Sequence, residues 1–392
     1  VDACGKPESA YNVITGKEDD DILVGTNLAD LIIGLGGDDI ITAEKGNDCI
    51  LAGDGDDIIY GNEGNDYING GNGLDTIYGG ADVIAKRVAA LTEDKFQIRN
   101  FGAGELAPAF GTVDAVQQGA VECTHTAGYY FVGKNKAFAF DTTVPFGMNQ
   151  RMQNAWMYWG GGLKLQREFL SDYNIISFPA GNTGTQMGGW FKNPIKDLND
   201  IKKLKMRIAG LGGEVWARLG GIPQQIAGGD IYPSLERGVI DAAEWVGPYD
   251  DEKLGFYKIA PNYYYPGWWE ACSMYSMYVN IKEWEKLPKM YQNALEVACY
   301  EANLDMMAEY DFKNPLALSR LLKNGVKLHA YSTPIMREAQ KQAFDLYEEE
   351  AGKNPAFKKI YEPWKKFRND QMLWNKVAEQ TLMSFMLNNP VK

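Results

Sequence analysis

The chain has 392 residues, of which 45% are apolar and 12% aromatic, enough for two or three packed domains and too rich for a disordered polymer. Its formal net charge of −13 argues against nucleic acid as a partner. No run of eighteen apolar residues occurs, so no membrane-spanning helix is expected. The chain opens Val1-Asp2-Ala3-Cys4, with no Met and no basic-then-apolar leader, and reads as a mature exported protein or a trimmed chain. The five cysteines, Cys4, Cys49, Cys123, Cys272 and Cys299, form no C-x-x-C pair, so zinc and redox sites are not expected. In an oxidising compartment Cys4 and Cys49 are candidates for a disulfide that staples the N-terminus down; the other three sit in apolar contexts as buried thiols.

The first element is periodic. Asp21, Asp30, Asp39, Asp48, Asp57, Asp66 and Asp75 stand nine residues apart, and two places after each comes Leu23, Ile32, Ile41, Ile50, Ile59, Ile68 or Ile77. Glycine holds the fourth place in the last five copies, from Gly37 to Gly73. The pattern matches the calcium-binding RTX nonapeptide G-G-x-G-x-D-x-U-x. It predicts an all-β parallel β-roll over residues 1–73. The x-U-x triplets form short strands with the aliphatic side chain inward, and the glycine turns tolerate positive φ. Turn carbonyls and aspartate carboxylates together suit Ca²⁺, which takes six to eight oxygens. Without the ion the carboxylates repel, so this module is expected to fold only with calcium. The early copies are weaker: Asp19 and Leu28 replace the fourth-place glycine, and Glu44-Lys45 fill two turn positions. Asp57, Asp66 and Asp75 are therefore the safest ligands.

After Gly80 helical and strand-like segments alternate. Residues 81–90 have helical apolar spacing; 96–99, 205–209, 240–245, 274–279 and 327–330 read as strands. Helices are expected over 214–219, 289–323, 334–350 and 355–386. Such alternation argues for an α/β fold of two lobes.

Several stretches here resemble the extracytoplasmic solute receptors of TRAP transporters: residues 102–110 (GAGELAPAF), 179–190 (PAGNTGTQMGGW), 205–214 (KMRIAGLGGE), 229–249 (GDIYPSLERGVIDAAEWVGPY) and 263–270 (YYYPGWWE). The subgroup they are most similar to captures 2-oxo acids and lactate. The resemblance covers roughly residues 74–388 and implies a periplasmic-binding-protein-like domain over 74–392, its second lobe at roughly 181–270. It also implies a cleft between the lobes, a long helix spanning both, TRAP permease membrane subunits as partners, and a periplasmic or extracellular location. One departure is expected to matter. Family members open with a short strand of the first lobe's sheet, whereas here the last repeat runs straight into the segment that follows that strand. Residues 66–69 could substitute for it, or another chain could donate a strand to the open edge.

A small 2-oxo acid offers a carboxylate and an adjacent oxygen. Arg207, just before a glycine turn, can grip a carboxylate with two parallel N–H bonds, and the resemblance makes it the main anchor. The resemblance also implies a bridging cation held by the Gln186 side-chain oxygen, the Glu244 carboxylate and the Trp245 backbone carbonyl, with Glu270 a candidate to complete the shell. All-oxygen ligation suits Na⁺ or Ca²⁺. Tyr129, Tyr130, Asn182, Trp190, Trp268 and Trp269 are candidates for lining the cleft. Enzyme chemistry is not expected: His125 and His329 sit in no H-E-x-x-H motif, residues 210–214 lack the third glycine of a dinucleotide fingerprint, and no nucleophile–base pairing is evident. Two functions follow: a receptor for a small organic acid, or a subunit of an extracellular filament or surface layer assembled as a homopolymer through the repeats or a donated strand.

Overall fold

The computed structural model describes residues 8–44, 48–54, 57–60, 67–72, 76–77, 80–102 and 104–389. The chain divides into two compact units, one of residues 1–86 with 98–106, the other of 87–97 with 107–392.

The first unit is a β-roll. Its strands are β1 (Asn12–Thr15), β2 (Ile22–Val24), β3 (Asp30–Gly36), β4 (Ile40–Thr42), β5 (Cys49–Asp54), β6 (Ile58–Tyr60), β7 (Tyr67–Asn72) and β8 (Thr76–Ile77). They form two parallel sheets, β1-β3-β5-β7 and β2-β4-β6-β8. Pairing falls at eighteen residues, Ile32 on Ile50 and Ile41 on Ile59, because two nonapeptides make one coil. Ile32, Ile41, Ile50 and Ile59 are fully buried between the sheets with Ala43 and Ala52. β1 adds an eighth copy that the aspartate period does not reveal: Asn12 pairs with Asp30 and Ile14 with Ile32. The second turn position is left-handed in three coils, with φ 81° at Leu35, 71° at Glu44 and 117° at Gly53. Only glycine adopts such φ without cost. Cys49 is disulfide-bonded; Cys4, its expected partner, lies outside the described residues, as do Asp66 and Asp75.

In the second unit, β9 (Cys123–Thr126), β10 (Ile175–Asn182) and β16 (Met274–Asn280) form a sheet of order β10-β16-β9, with β16 antiparallel to both neighbours. The other sheet has the order β13-β12-β14-β11-β15-β17, from β11 (Trp190–Phe191), β12 (Lys205–Arg207), β13 (Ile222–Gln224), β14 (Ala242–Ala243), β15 (Asn262–Tyr265) and β17 (Lys327–Ala330). Each sheet anchors one lobe, and the chain crosses between them after β10 and after β15. The helix Lys289–Lys323 packs on β10 of the first lobe and on the helix Pro248–Lys253 of the second. β17 returns to the second lobe's sheet beside β15, well beyond residue 270.

The segment 96–99 is a correction: it is not a strand. Phe96 N–H donates to Thr92 Oγ1 at 3.1 Å in a turn that closes the preceding helix. β9, the edge strand of the first-lobe sheet, pairs only with β16 among the described residues, so no sheet partner draws 96–99 into extended pairing.

Candidate functional site

In the roll, the carboxylates of Asp39, Asp48 and Asp57 reach back one coil. Asp39 Oδ1 accepts from Asp21 N–H at 2.9 Å, Asp48 Oδ1 from Asp30 N–H at 2.8 Å, and Asp57 Oδ1 from Asp39 N–H at 2.9 Å. The early coils spend their second oxygen internally: Asp21 Oδ2 accepts from Lys17 N–H at 2.5 Å and Asp30 Oδ2 from Thr26 N–H at 2.6 Å. Asn12 Nδ2 donates to Asp30 Oδ1 at 2.7 Å, so an amide stands in the row of aspartates at the first described strand. Asp39 differs: its Oδ2 is buried and accepts no hydrogen bond. Burial, with Asp21, Asp20 and Asp38 nearby, raises its pKa even against the N–H it accepts from Asp21. A buried, unsatisfied carboxylate oxygen among like charges fits a Ca²⁺ ligand.

In the second unit, β12 ends at Arg207 and β14 leads into Glu244 and Trp245, because these strands are parallel neighbours with Arg207 on Ala243. Arg207 Nη1 donates to the Glu244 carbonyl at 3.0 Å and to Glu244 Oε1 at 2.5 Å, while Nε donates to the Ile226 carbonyl at 3.1 Å. None of these bonds uses Nη2. The guanidinium carbon sits 5.0 Å over the Trp245 ring. Gln186 is fixed by its backbone: its N–H donates to the Glu270 carbonyl at 3.2 Å, and its carbonyl accepts from Gly267 at 3.1 Å. The next N–H, of Met187, donates to the Val246 carbonyl at 3.1 Å. The two crossing segments thereby bring Gln186, Glu244, Trp245 and Glu270 together.

Three buried oxygens in this group accept no hydrogen bond: Gln186 Oε1, Glu244 Oε2 and Glu270 Oε2. Burial raises the Glu244 pKa against the pull of Arg207. Glu270 is raised well above the carboxylate range, by burial first and the neighbouring Glu244 charge second. Burial opposes the Arg207 charge, but Glu244 more than restores it and the pKa rises. Two facing carboxylates and an amide oxygen, all desolvated, fit a hard cation, whose charge would reverse the penalty on both acids. Among the described residues no group of three or more His, Cys, Asp or Glu gathers to hold a metal.

Tyr129 arrives from the first lobe. It is buried, lies edge-on to Tyr130 at 4.7 Å between centroids, and faces Glu270. Gly210, at φ 59°, lets the second lobe close on it; a Cβ there would stand 3.1 Å from Tyr129 Cβ. Gln225 Nε2 donates to the Tyr130 carbonyl at 3.4 Å, and Lys136 Nζ bonds Glu214 Oε2 at 2.6 Å across the same lobes. Asn182, at the end of β10, accepts from Gly184 N–H at 2.9 Å and keeps a buried Nδ2 without an acceptor. Trp268 stacks on Phe146 at 5.5 Å with its indole N–H buried and unpartnered. Trp190 goes elsewhere: it stacks on Tyr263 at 3.7 Å in the second lobe's core, with Nε1 on Asp251 Oδ2 at 2.8 Å. Sequence reasoning missed Tyr275, whose hydroxyl is pushed well above the ordinary tyrosine range by burial first and by Tyr130 and Glu270 next; its position on β16 carries no motif. It also missed Asp251, which holds Val246 N–H at 3.3 Å and so braces the Glu244–Trp245 segment from behind.

A two-lobed ligand-capturing receptor is the class of protein that this fold and these enclosed oxygens define. Residues 71–354 match the bacterial extracellular solute-binding proteins, family 7, and segments 15–50, 24–59 and 51–83 match the RTX calcium-binding nonapeptide repeat. A monocarboxylate 2-oxoacid-binding periplasmic protein of Nostoc sp. is 54% identical over 306 residues, 78% of this chain and 84% of that protein. A TRAP transporter solute-binding protein of Bordetella bronchiseptica, a mixed-occupancy dimer with copurified calcium and picolinate in one active site, has a TM-score of 0.78 at 50% identity, covering 80% of this chain and 93% of that one. A TRAP periplasmic solute-binding protein of Pseudoalteromonas atlantica, with bound sodium and pyruvate, has a TM-score of 0.76 at 39% identity, covering 78% and 93%. The chain belongs to family 7 of the bacterial extracellular solute-binding proteins and carries calcium-binding RTX repeats ahead of that domain.

Proposed function

We propose that this chain is a periplasmic or cell-surface receptor for a small monocarboxylic 2-oxo or 2-hydroxy acid, taken up with Na⁺ or Ca²⁺ and handed to TRAP permease membrane subunits. The observation that carries the reading is the enclosed trio Gln186 Oε1, Glu244 Oε2 and Glu270 Oε2 beside Arg207. Gln186, Glu244 and Glu270 would hold the cation with the Trp245 carbonyl, and the cation would bridge protein and ligand oxygens. Because Nη1 is spent on Glu244, Nη2 of Arg207 is the nitrogen that meets the ligand carboxylate. Tyr129 and Asn182 Nδ2 supply donors from the first lobe, and Trp268 an apolar wall. Closure of the lobes excludes water and strengthens each of these contacts. The Nostoc and Pseudoalteromonas relatives, by what they bind, support pyruvate-sized acids as the ligand class.

Isothermal titration of pyruvate and lactate into EDTA-stripped protein, then into protein reloaded with Na⁺ or Ca²⁺, tests this. Binding that requires one of the two ions supports the reading. Equal binding without any cation would sink the bridging role, and no binding under any condition would sink the ligand class.

A further inference from the structure

Lysines of the second lobe collect at one end of its sheet. β12, β13, β14, β15 and β17 run in a common direction, and only β11 opposes them. Arg207 closes β12 at the end where these strands finish; Lys205 opens it at the other. Lys327 opens β17, and Lys192, just after antiparallel β11, falls between the two. The register fixes this row: Lys192 N–H donates to the Asp241 carbonyl at 3.1 Å, and Lys327 N–H to the Pro261 carbonyl at 2.8 Å. The connection from β11 to β12 has both its ends here and carries Lys196, Lys202 and Lys203, with Lys203 N–H on the Gly220 carbonyl at 2.8 Å. Lys192 is half-buried and the other five are exposed.

The charge at this pole is left uncancelled locally. Residues 192–205 hold five lysines and two aspartates, in a chain of net charge −13. The neighbouring carboxylates are turned to backbone donors. Asp197 Oδ1 accepts from Asn199 N–H at 2.7 Å, Asp200 Oδ2 from Lys196 N–H at 2.7 Å, and Asp241 Oδ2 from Lys205 N–H at 3.0 Å. Among the described residues none of the six ammonium groups forms an ion pair, and Lys202 Nζ reaches only the neutral Asn199 Oδ1, at 2.9 Å. Lysines on the later helices behave otherwise: Lys341, Lys358 and Lys366 each pair with a carboxylate one turn on. Like charges gathered without partners repel, and an anionic surface relieves that repulsion.

The kind of side chain indicates the kind of surface. Protein interfaces are depleted in Lys and built on Arg and aromatic anchors. Here all six cations are lysines, and the exposed apolar residues at this end, Ile222 beside Lys205 and Val239 ahead of Asp241, stand singly. Hydrated point charges on flexible stems suit a fluid array of phosphates. We infer that this basic pole seats the second lobe on an anionic phospholipid surface. Arg207 and Glu244, at the opposite ends of β12 and β14, stay clear of the contact.

The test is cosedimentation of the full chain, in low-salt buffer with millimolar calcium, with vesicles of phosphatidylcholine alone or mixed equally with phosphatidylglycerol. Wild type is expected to bind only the mixed vesicles and to be released by rising salt. A lysine near such a surface is worth roughly fivefold in partition, so Lys196→Gln, Lys202→Gln, Lys203→Gln should weaken binding on the order of 100-fold. The independent pair Lys205→Gln, Lys327→Gln should weaken it roughly 30-fold. Far-UV circular dichroism and pyruvate affinity should be unchanged in both, and Lys341→Gln, Lys358→Gln, Lys366→Gln should bind vesicles as wild type does. Wild type that ignores the mixed vesicles overturns the inference; if it is then retained by immobilised polyglutamate, the pole belongs to an acidic protein instead. Binding that both lysine variants keep within twofold also overturns it and places the contact elsewhere, as calcium bridging through the acidic roll would.

Discussion

Replacing Glu244 by Gln changes one atom's identity and separates charge from shape in the cleft. Glu244 Oε1 accepts from Arg207 Nη1 and from Ala209 N–H, the latter at 3.2 Å, while Oε2 is buried with no donor. Glutamine keeps a carbonyl oxygen for the first pair only by turning its NH₂ toward the cation position. A charge-assisted bond is worth about 1.5–3 kcal/mol, so ligand affinity should fall roughly 10- to 150-fold. The buried Arg207 also loses its nearest anion, which costs up to about 3–5 kcal/mol of stability in the ligand-free protein. Glu270, no longer facing the Glu244 charge, should drop toward the ordinary carboxylate range. Calorimetric titration of pyruvate in saturating Ca²⁺ reads the first effect, and differential scanning calorimetry of the ligand-free protein the second. If Glu244→Gln keeps its affinity within twofold, the cation does not sit where Glu244 Oε2 points, and the site as described is wrong.

Other outcomes follow from features elsewhere in the fold. Lys136→Met removes a partly exposed inter-lobe pair of about 0.5–1 kcal/mol, so stopped-flow fluorescence should show ligand leaving about 2- to 5-fold faster at an unchanged on-rate. Asp251 has its pKa pushed up to about 7 by burial. A raised carboxyl stabilises the fold fully below its unfolded value near 4, and that contribution is lost as pH climbs toward 7; urea titrations of ligand-free Asp251→Asn should therefore show a flatter pH dependence across this window. Leu35→Gly and Glu44→Gly relieve left-handed backbone by about 1 kcal/mol each and should lower the calcium concentration at which circular dichroism reports the roll, whereas Gly53→Ala should raise it.

Long, strongly patterned segments were legible in the sequence. The helix over 289–323 and the strand 327–330 stand as the periodicity predicts, and the ninefold period yields the roll and its buried isoleucines. The misses share a cause, because each depends on neighbours distant along the chain. Residues 96–99 have strand composition but no strand beside them. Asn12 continues the aspartate row as an amide, invisible to a search for aspartates yet placed by Ile14 two residues on. Trp190 and Trp268 look alike in sequence; only the stacking on Tyr263 and on Phe146 separates a core residue from a wall of the cleft. Arg207 and Glu244 could be named from a motif, but not that they are bonded to each other and leave one nitrogen to spare.

The backward reach of the roll's carboxylates gives that module a polarity. Asp57 holds the N–H of Asp39, Asp39 holds that of Asp21, and Asp48 holds that of Asp30, so along this row of aspartates the later coil caps the earlier one. The aspartate-row N–H of a coil near the N-terminus is capped only once its successor exists, although the successor leans on it through other bonds, Asp38 N–H on Asp20 Oδ1 at 2.9 Å and Ile40 N–H on the Asp21 carbonyl at 2.9 Å. Along this row the roll should therefore zip from its C-terminal coils outward and fray in reverse. Hydrogen exchange would record this as amide protection that declines steadily from β5 and β6 toward β1.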